Sequence, residues 1–300
     1  MKFLYWNINK QISPFEDYLQ KLMIDRKIDV LILSENKNIS NEKILKNIDF
    51  EVVKLEMQNS TLKWVQVYYK KNAGFKITHH SEDTDLENID NTNDRLVNRI
   101  QVFKISNETP SNILDTYFAC IHFPSKLYHD EISHLQIVPN YKAKVHNLTQ
   151  NSARVFIVGD FNMNPFDYGM IEPNGFFAHN NRELVDVDAK IKHGNKQILY
   201  YNPCWILLGD YVNKTNYKTN NRTGGSFFYE GEKSRSLYWY LIDQIIMRKA
   251  LIDGFVSEDL EIIEDPQMRE DIQKEKTKDI NKIDHFPLQF SFNFNTQNNE

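Results

Sequence analysis

Three hundred residues, 41% apolar and 26% charged with both signs mixed, suit one large domain or two small ones and exclude a disordered chain. The net charge of −5 argues against nucleic-acid binding through overall basicity, while leaving a local basic groove open. The two cysteines, Cys120 and Cys204, belong to no CxxC pair, which excludes a zinc ribbon and leaves two reduced thiols as the expectation.

Taken in chain order, "KFLYWNI" predicts a first strand. No apolar run nears the ~18 residues of a membrane span, and the start "MKFLYWNINKQ" is too short for a signal-peptide core. No integral membrane segment and a cytoplasmic location are therefore expected, and nothing points to a protein partner. "SPFEDYLQKLMIDRK" predicts a helix: Ser13 caps it, Pro14 takes its first position, Glu16 closes a capping box, and Phe15, Leu19 and Leu22 share a face. "DVLILSE", "KWVQVYYK", "NRIQVFKI" and "DTYFACIHF" predict further strands. A helix begins after Asp130 in "DEISHLQIV", and Pro139 is expected to end or bend it.

"RVFIVGDF", "WYLIDQIIM" and "PLQFSFNF" complete the strand set. In the last, Leu288, Phe290, Phe292 and Phe294 alternate onto one face, which implies one face buried and the other less so. No repeat and no linker divides the chain, so residues 1–300 read as a single domain. Strands outnumber helices without strict alternation. The expected fold class is α/β: two packed, mainly antiparallel sheets with helices outside.

Three stretches read as surface excursions. "SEDTDLENIDNTND" is acidic and turn-rich, and "EDPQMREDIQKEKTKDINK" reads as a solvated helix or loop. Residues 213–235 carry five Lys or Arg against two Glu, with Tyr and Phe interleaved, which suits either a nucleic-acid contact loop or a polar hairpin.

Polar residues recur inside or at the ends of these apolar strands. They are Asn7, Glu35, His122, Asp160 and Asn162 of "GDFN", Asp243 of "IDQI", and Asp284 and His285 of "DHFPL". Each alone suits a satisfied turn or cap. Together they need another account, because burying several carboxylates is costly unless they are paired, hydrogen-bonded or bound to metal. Hard oxygen donors with imidazole bases suit Mg²⁺ or Mn²⁺ and proton transfer, and suit zinc poorly.

The order of these motifs, from Asn7 to His285, resembles the endonuclease/exonuclease/phosphatase superfamily. That resemblance implies a four-layer α/β/β/α sandwich with the site at one end. It implies Glu35 as the principal metal carboxylate, Asn7 orienting the metal or the phosphate, and Asp284 approaching the same Mg²⁺, with Mn²⁺ as an alternative. Asp160 would orient or deprotonate the attacking water. Asn162, two residues later on a period-2 strand, would bond the scissile phosphate. His285, oriented by Asp243, would contact the phosphate or serve as base, and His122 would stand on the leaving-group side. Asn9 and Lys37 lie beside Asn7 and Glu35; with Arg99 and Lys126 they are candidate substrate contacts.

Departures from the family pattern concern neighbours of these residues. Ser34 replaces a Gln before the metal Glu, Ile283 replaces Ser or Thr before "DH", and Cys120 holds an Asn position. "IHFPSK" and Lys10 stand where abasic-site endonucleases carry a "YxPN"-like motif and a Gly. Other constellations carry no chemistry. His129 and His134 are off the HExxH spacing and read as a helix-surface pair, "RTGGS" is no phosphate loop, and His79 and His80 read as exposed.

Three functions follow. One is a Mg²⁺-dependent nuclease with nucleic acid as substrate. Another is a phosphatase or phospholipase C-like diesterase acting on inositol phosphate or sphingolipid. The last is a non-catalytic binding module, against which the full set of acidic and histidine positions speaks.

Overall fold

The computed structural model describes residues 1–9, 16–36, 40–55, 64–80, 99–107, 114–125, 131–149, 152–186, 198–208, 223–229, 239–273 and 283–294. Its strands are β1 (Lys2–Asn7), β2 (Val30–Ser34), β3 (Phe50–Val52), β4 (Val65–Lys70), β5 (Phe75–His80), β6 (Ile100–Asn107), β7 (Thr116–His122) and β8 (Val155–Asp160). They continue as β9 (Ala178–His179), β10 (Tyr200–Tyr201), β11 (Phe227–Phe228), β12 (Trp239–Tyr240), β13 (Asp243–Met247), β14 (Glu261–Ile262) and β15 (Leu288–Ser291). One sheet runs β14-β15-β1-β2-β4-β3, the other β5-β6-β7-β8-β13-β10-β9, and β11-β12 form a separate ribbon. The pairs β1/β2, β7/β8 and β9/β10 are parallel and the rest antiparallel, so both large sheets are mixed and mainly antiparallel.

The two sheets meet through aromatic rings. Phe3 of β1 stacks on Phe290 at 5.0 Å and meets Phe156 of the opposite sheet edge-on at 5.4 Å. Phe118 and Phe156 stack at 5.3 Å, so alternate residues of β7 and β8 fill the space between the sheets. The intervening residues Ala119, Ile121, Val155 and Ile157 face outward instead. There they join Val138, Tyr141 and Val145 of the helix Glu131–Leu148 in a second core. On the other side, Trp6 meets Tyr18 of the helix Glu16–Asp25 at 6.4 Å. Central strands are therefore buried on both faces, and the architecture is the helix-flanked sandwich expected.

Several local expectations change. Pro139 does not end its helix, which runs through it for 18 residues. Pro139 lies on the exposed side, and packing of Val138, Tyr141 and Val145 outweighs its poor propensity. His134 is fully buried against Phe123 at 5.1 Å rather than on the helix surface. His79 and His80 are half-buried, edge-on to Phe103 and Tyr117.

The polar face of β15 is covered too. Gln289 Nε2 donates to Asp259 O at 3.1 Å, and Ser291 Oγ to Asp259 Oδ2 at 2.5 Å. The charged stretch after Glu264 buries Met268 and Ile272 in the helix Pro266–Gln273, so one of its faces belongs to the core. The expected cap at Ser13, the acidic stretch 81–94 and most of 213–235 lie outside the described residues, as do Lys37, Lys126 and His129. Both cysteines are free and buried. Among the described residues, no helix is long and apolar enough to cross a membrane.

Candidate active site

Strand parity puts the key side chains at one end of the sandwich, between the sheets. In β1, Phe3 and Tyr5 point inward, so Asn7 does as well. In β7 and β8, Phe118 and Phe156 point inward, and the same parity reaches His122 and Asp160. Register aligns the row: His122 is opposite Asp160 across β7/β8, and Asp160 opposite Asp243 across β8/β13. Three adjacent strand ends thus deliver an imidazole and two carboxylates to one line.

The remaining members arrive by turns. Glu35 lies one residue past β2, where alternation would turn it away from Asn7. Its backbone is left-handed, φ 56°, and brings Oε1 to 3.3 Å from Asn7 Nδ2. Asn7 Nδ2 also lies 3.3 Å from Asp160 Oδ2, so one amide bridges two carboxylates. Asn9, φ 43°, donates its backbone N–H to Asn7 Oδ1 at 3.1 Å and its amide to Asp284 Oδ2 at 3.4 Å. Asn tolerates left-handed backbone, but it is costly for Glu35, whose conformation the surrounding contacts must hold.

Asn162 corrects the reason given for "GDFN". The strand ends at Asp160, and Asn162 has φ 51°, so period-2 geometry does not aim it. Its backbone N–H donates to Asp160 Oδ1 at 2.8 Å and its Nδ2 to Phe123 O at 2.8 Å. A turn closed by the Asp160 carboxylate places it. Gly159 precedes this turn because a Cβ there would lie 2.0 Å from Ile121 O.

His285 Nδ1 lies 2.7 Å from Asp243 Oδ2, and both residues are buried. Trp6 Nε1 donates to His285 O at 2.9 Å, and the Phe227 ring lies 4.8 Å from the imidazole. Burial alone would lower the pKa of His285, but Asp243, Asp284 and Asp160 outweigh it and raise it to about 10. Burial, and then the charge of Asp243, push Asp160 up to about 8. His122 goes the other way. Burial brings it down to about 4 against the pull of Glu35, whose Oε1 lies 3.6 Å from its Nδ1. His122 is therefore a neutral imidazole at pH 7.

Donor atoms of Asp160, Asp243 and His285 all lie within 4.8 Å of one another. The metal residues expected from the resemblance were Glu35, Asn7 and Asp284, which sit beside this trio. Because Asp243 already engages His285, the oxygens of Glu35, Asn7 and Asp284 beside the trio are the better match to a hard cation. Arg99 stands over the Trp64 ring at 4.7 Å, and Trp64 lies 5.5 Å from His122, so Arg99 borders the site.

Sequence reasoning missed the residues that fix these groups. Ser226 Oγ accepts the Asp243 N–H at 3.1 Å. Gln244 Nε2 donates to Met163 O at 2.5 Å and Leu241 O at 3.0 Å, and its Oε1 accepts from Asn202 at 2.8 Å. Asn164 Oδ1 takes the Leu241 N–H at 3.0 Å, which splits "WYLIDQIIM" into β12 and β13 and sets Asp243 at a strand start. Only amides and hydroxyls in apolar surroundings could have signalled them. Gln244→Leu should cost about 2–3 kcal/mol, because two buried carbonyls lose their donor. The urea midpoint measures it, and an unchanged midpoint would show that water replaces the amide.

No protein-family model matches the sequence, and no curated protein matches it. Solved structures match its shape. The 3′ phosphatase NExo from Neisseria, bound to a product DNA hairpin, aligns over 98% of this chain and 99% of its own at 14% identity and TM-score 0.50. The human Nocturnin catalytic domain with bound sulfate aligns over 98% and 94% at 11% identity and TM-score 0.51. A conserved protein of unknown function from Enterococcus faecalis V583 aligns over 98% and 99% at 12% identity and TM-score 0.51. At these identities the likeness is one of fold. The chain has the deoxyribonuclease-I-like fold of the endonuclease/exonuclease/phosphatase proteins, as the order of its motifs implied.

Proposed function

We propose that the protein is a phosphoesterase of the endonuclease/exonuclease/phosphatase superfamily, a single domain of residues 1–300. In this reading it is a Mg²⁺-dependent nuclease hydrolysing DNA or RNA, with Mn²⁺ as an alternative ion. The observation that carries it is the convergence of Asp160, Asp243 and His285 within 4.8 Å, beside Glu35 and Asn7, at one end of this fold.

The donor set fits a divalent cation. Glu35 and Asp160 share one amide, and burial and then the charge of Asp243 raise the Asp160 pKa, a cost that a cation would offset. Glu35, Asn7 and Asp284 would hold it. When bound, it would polarise the phosphoryl oxygen and stabilise the charge built up in the transition state. The rest is done by the chain. Asp160 orients the attacking water and accepts its proton. The charged His285 imidazole, fixed by Asp243, hydrogen-bonds a phosphoryl oxygen. Neutral His122 stands on the leaving-group side, and the Asn162 amide binds the scissile phosphate. Arg99 offers a neighbouring phosphate a guanidinium, and Asn9 supports Asp284. The Neisseria protein of this fold, a 3′ phosphatase bound to product DNA, is consistent with a nucleic-acid substrate.

Nicking of supercoiled plasmid tests this reading. Activity with Mg²⁺ or Mn²⁺ should vanish in EDTA and fall about 10³-fold in Asp160→Ala. Folded protein that nicks no DNA and cuts no RNA with either ion would withdraw the nuclease reading. Phosphoinositide and sphingomyelin panels would then test the phosphatase or phospholipase C-like alternative.

A further inference from the structure

Two arginines lie at the other end of the sandwich. Arg154 precedes β8 and Arg248 follows β13, and the strands are antiparallel neighbours, so both side chains leave from one edge. The Arg248 N–H donates to Val155 O at 2.9 Å. The run of β8 separates this end from Asp160 by about 20 Å, at ~3.3 Å per residue.

Both guanidinium groups are anchored on uncharged acceptors. Arg248 Nη1 donates to Ser152 O, and the Arg154 backbone N–H to Ser152 Oγ at 3.2 Å. Arg154 Nε donates to Thr116 Oγ1 at 3.2 Å, and its Nη1 to Ala250 O at 3.5 Å. Arg248 is only 6% exposed, and its guanidinium lies 5.8 Å from the Tyr200 ring centroid. Its Nε and Nη2 are buried and have no hydrogen-bond partner among the described residues. His146, in the last turn of the helix Glu131–Leu148, likewise has a buried Nδ1 without a partner there. Val145, one residue before His146, packs in the same core cluster as Val155 and Tyr200, the ring that Arg248 overlies, and burial and then the charge of Arg248 lower the His146 pKa. Among the described residues no carboxylate pairs with Arg248 or Arg154. The acid beside Thr116, Asp115, pairs with Lys104 at 2.5 Å.

A buried guanidinium without a counter-ion is costly. Nε and Nη2 together form the fork edge that matches two oxygens of an oxyanion, and that edge is the one without a partner. We propose that Arg248, Arg154 and His146 form a second binding site, taking a small tetrahedral oxyanion such as phosphate, at the end of the sandwich remote from the catalytic residues. Arg248 supplies the buried fork, Arg154 closes the rim, and His146 adds a ring nitrogen. The depth of Arg248 selects a free ion over a phosphate carried on a polynucleotide. The proposal stands apart from the phosphoesterase reading, since it uses none of the same residues.

The test uses the full chain in EDTA, titrated with inorganic phosphate against chloride at constant ionic strength. Thermal unfolding should show a saturable rise in Tm in the unmodified protein and in His285→Ala. In Arg154→Gln and Arg248→Met the apparent affinity should weaken at least roughly tenfold. An oligonucleotide at equal phosphate concentration should not compete at this site. No saturable shift overturns the proposal, as does a shift that survives Arg154→Gln or disappears in His285→Ala. A crystal soaked in selenate needs no substitution and decides the matter if Arg248→Met does not fold. An anomalous peak beside Arg248 Nε is expected, and its absence overturns the proposal whatever the shift.

Discussion

His285→Ala should lower kcat by about 10²–10⁴-fold while leaving the fold in place. His285 is the charged member of the site, its imidazole raised to about 10 by Asp243, Asp284 and Asp160 against the cost of burial. A neutral side chain there removes the hydrogen bond to the phosphoryl oxygen where charge accumulates, so the loss belongs to kcat more than to KM. Asp243→Asn should cost a similar factor. The carboxylate lies 2.7 Å from Nδ1, and an amide at that place would no longer hold the ring charged or in one tautomer. The two residues act as one unit, so His285→Ala with Asp243→Asn should be little slower than either single variant. Multiplicative losses in the double variant would show that Asp243 acts independently of His285, and the assignment of Asp243 as a positioning residue would fail. Circular dichroism of each variant separates loss of chemistry from loss of fold.

Much of this arrangement is legible in the sequence because strands repeat every two residues. Asn7, His122, Asp160 and Asp243 share the inward parity of the rings that fill the core, so an apolar strand ending in a polar residue already states which way that residue faces. What the alternation cannot state is a turn. Glu35 and Asn162 reach the site through left-handed backbone, φ 56° and 51°, which Asn tolerates and Glu does not favour. Hydrogen bonds to Asp160 and Phe123 hold Asn162, and Asn7 engages Glu35, and none of these partners is announced by alternation. The supporting residues are hidden for a different reason. Ser226, Gln244 and Asn164 act on backbone groups far away in sequence, as Gln244 does on Met163, Asn202 acts on the Gln244 side chain, and a lone amide or hydroxyl carries no periodic signal. The less buried face expected of β15 is absent for a similar reason, since the turn that covers Gln289 and Ser291 is contributed by Asp259.

Gly159→Ala should damage stability and activity together, and the reason lies one strand away. Gly159 is opposite Ile121, and a Cβ would lie 2.0 Å from the Ile121 carbonyl oxygen and 2.9 Å from its carbon. These are backbone atoms in a parallel pairing, so no rotamer change can relieve the contact. The next pair in that register is His122 opposite Asp160, whose Nδ1 and Oδ2 are 4.0 Å apart. Forcing β7 from β8 at Gly159 therefore separates two site residues directly. A loss of about 3 kcal/mol or more is expected, which at this chain length corresponds to a fall in Tm of about 5 °C or more. kcat should drop in the fraction that remains folded. Gly74→Ala is the control. Its φ of 81° is unfavourable for alanine, but a Cβ there meets nothing within 4 Å, so only backbone strain is introduced. That variant should lose about 1–2 kcal/mol and keep its kcat. If the two variants behave alike in Tm and in kcat, the close approach of β7 to β8 is not what demands glycine before Asp160.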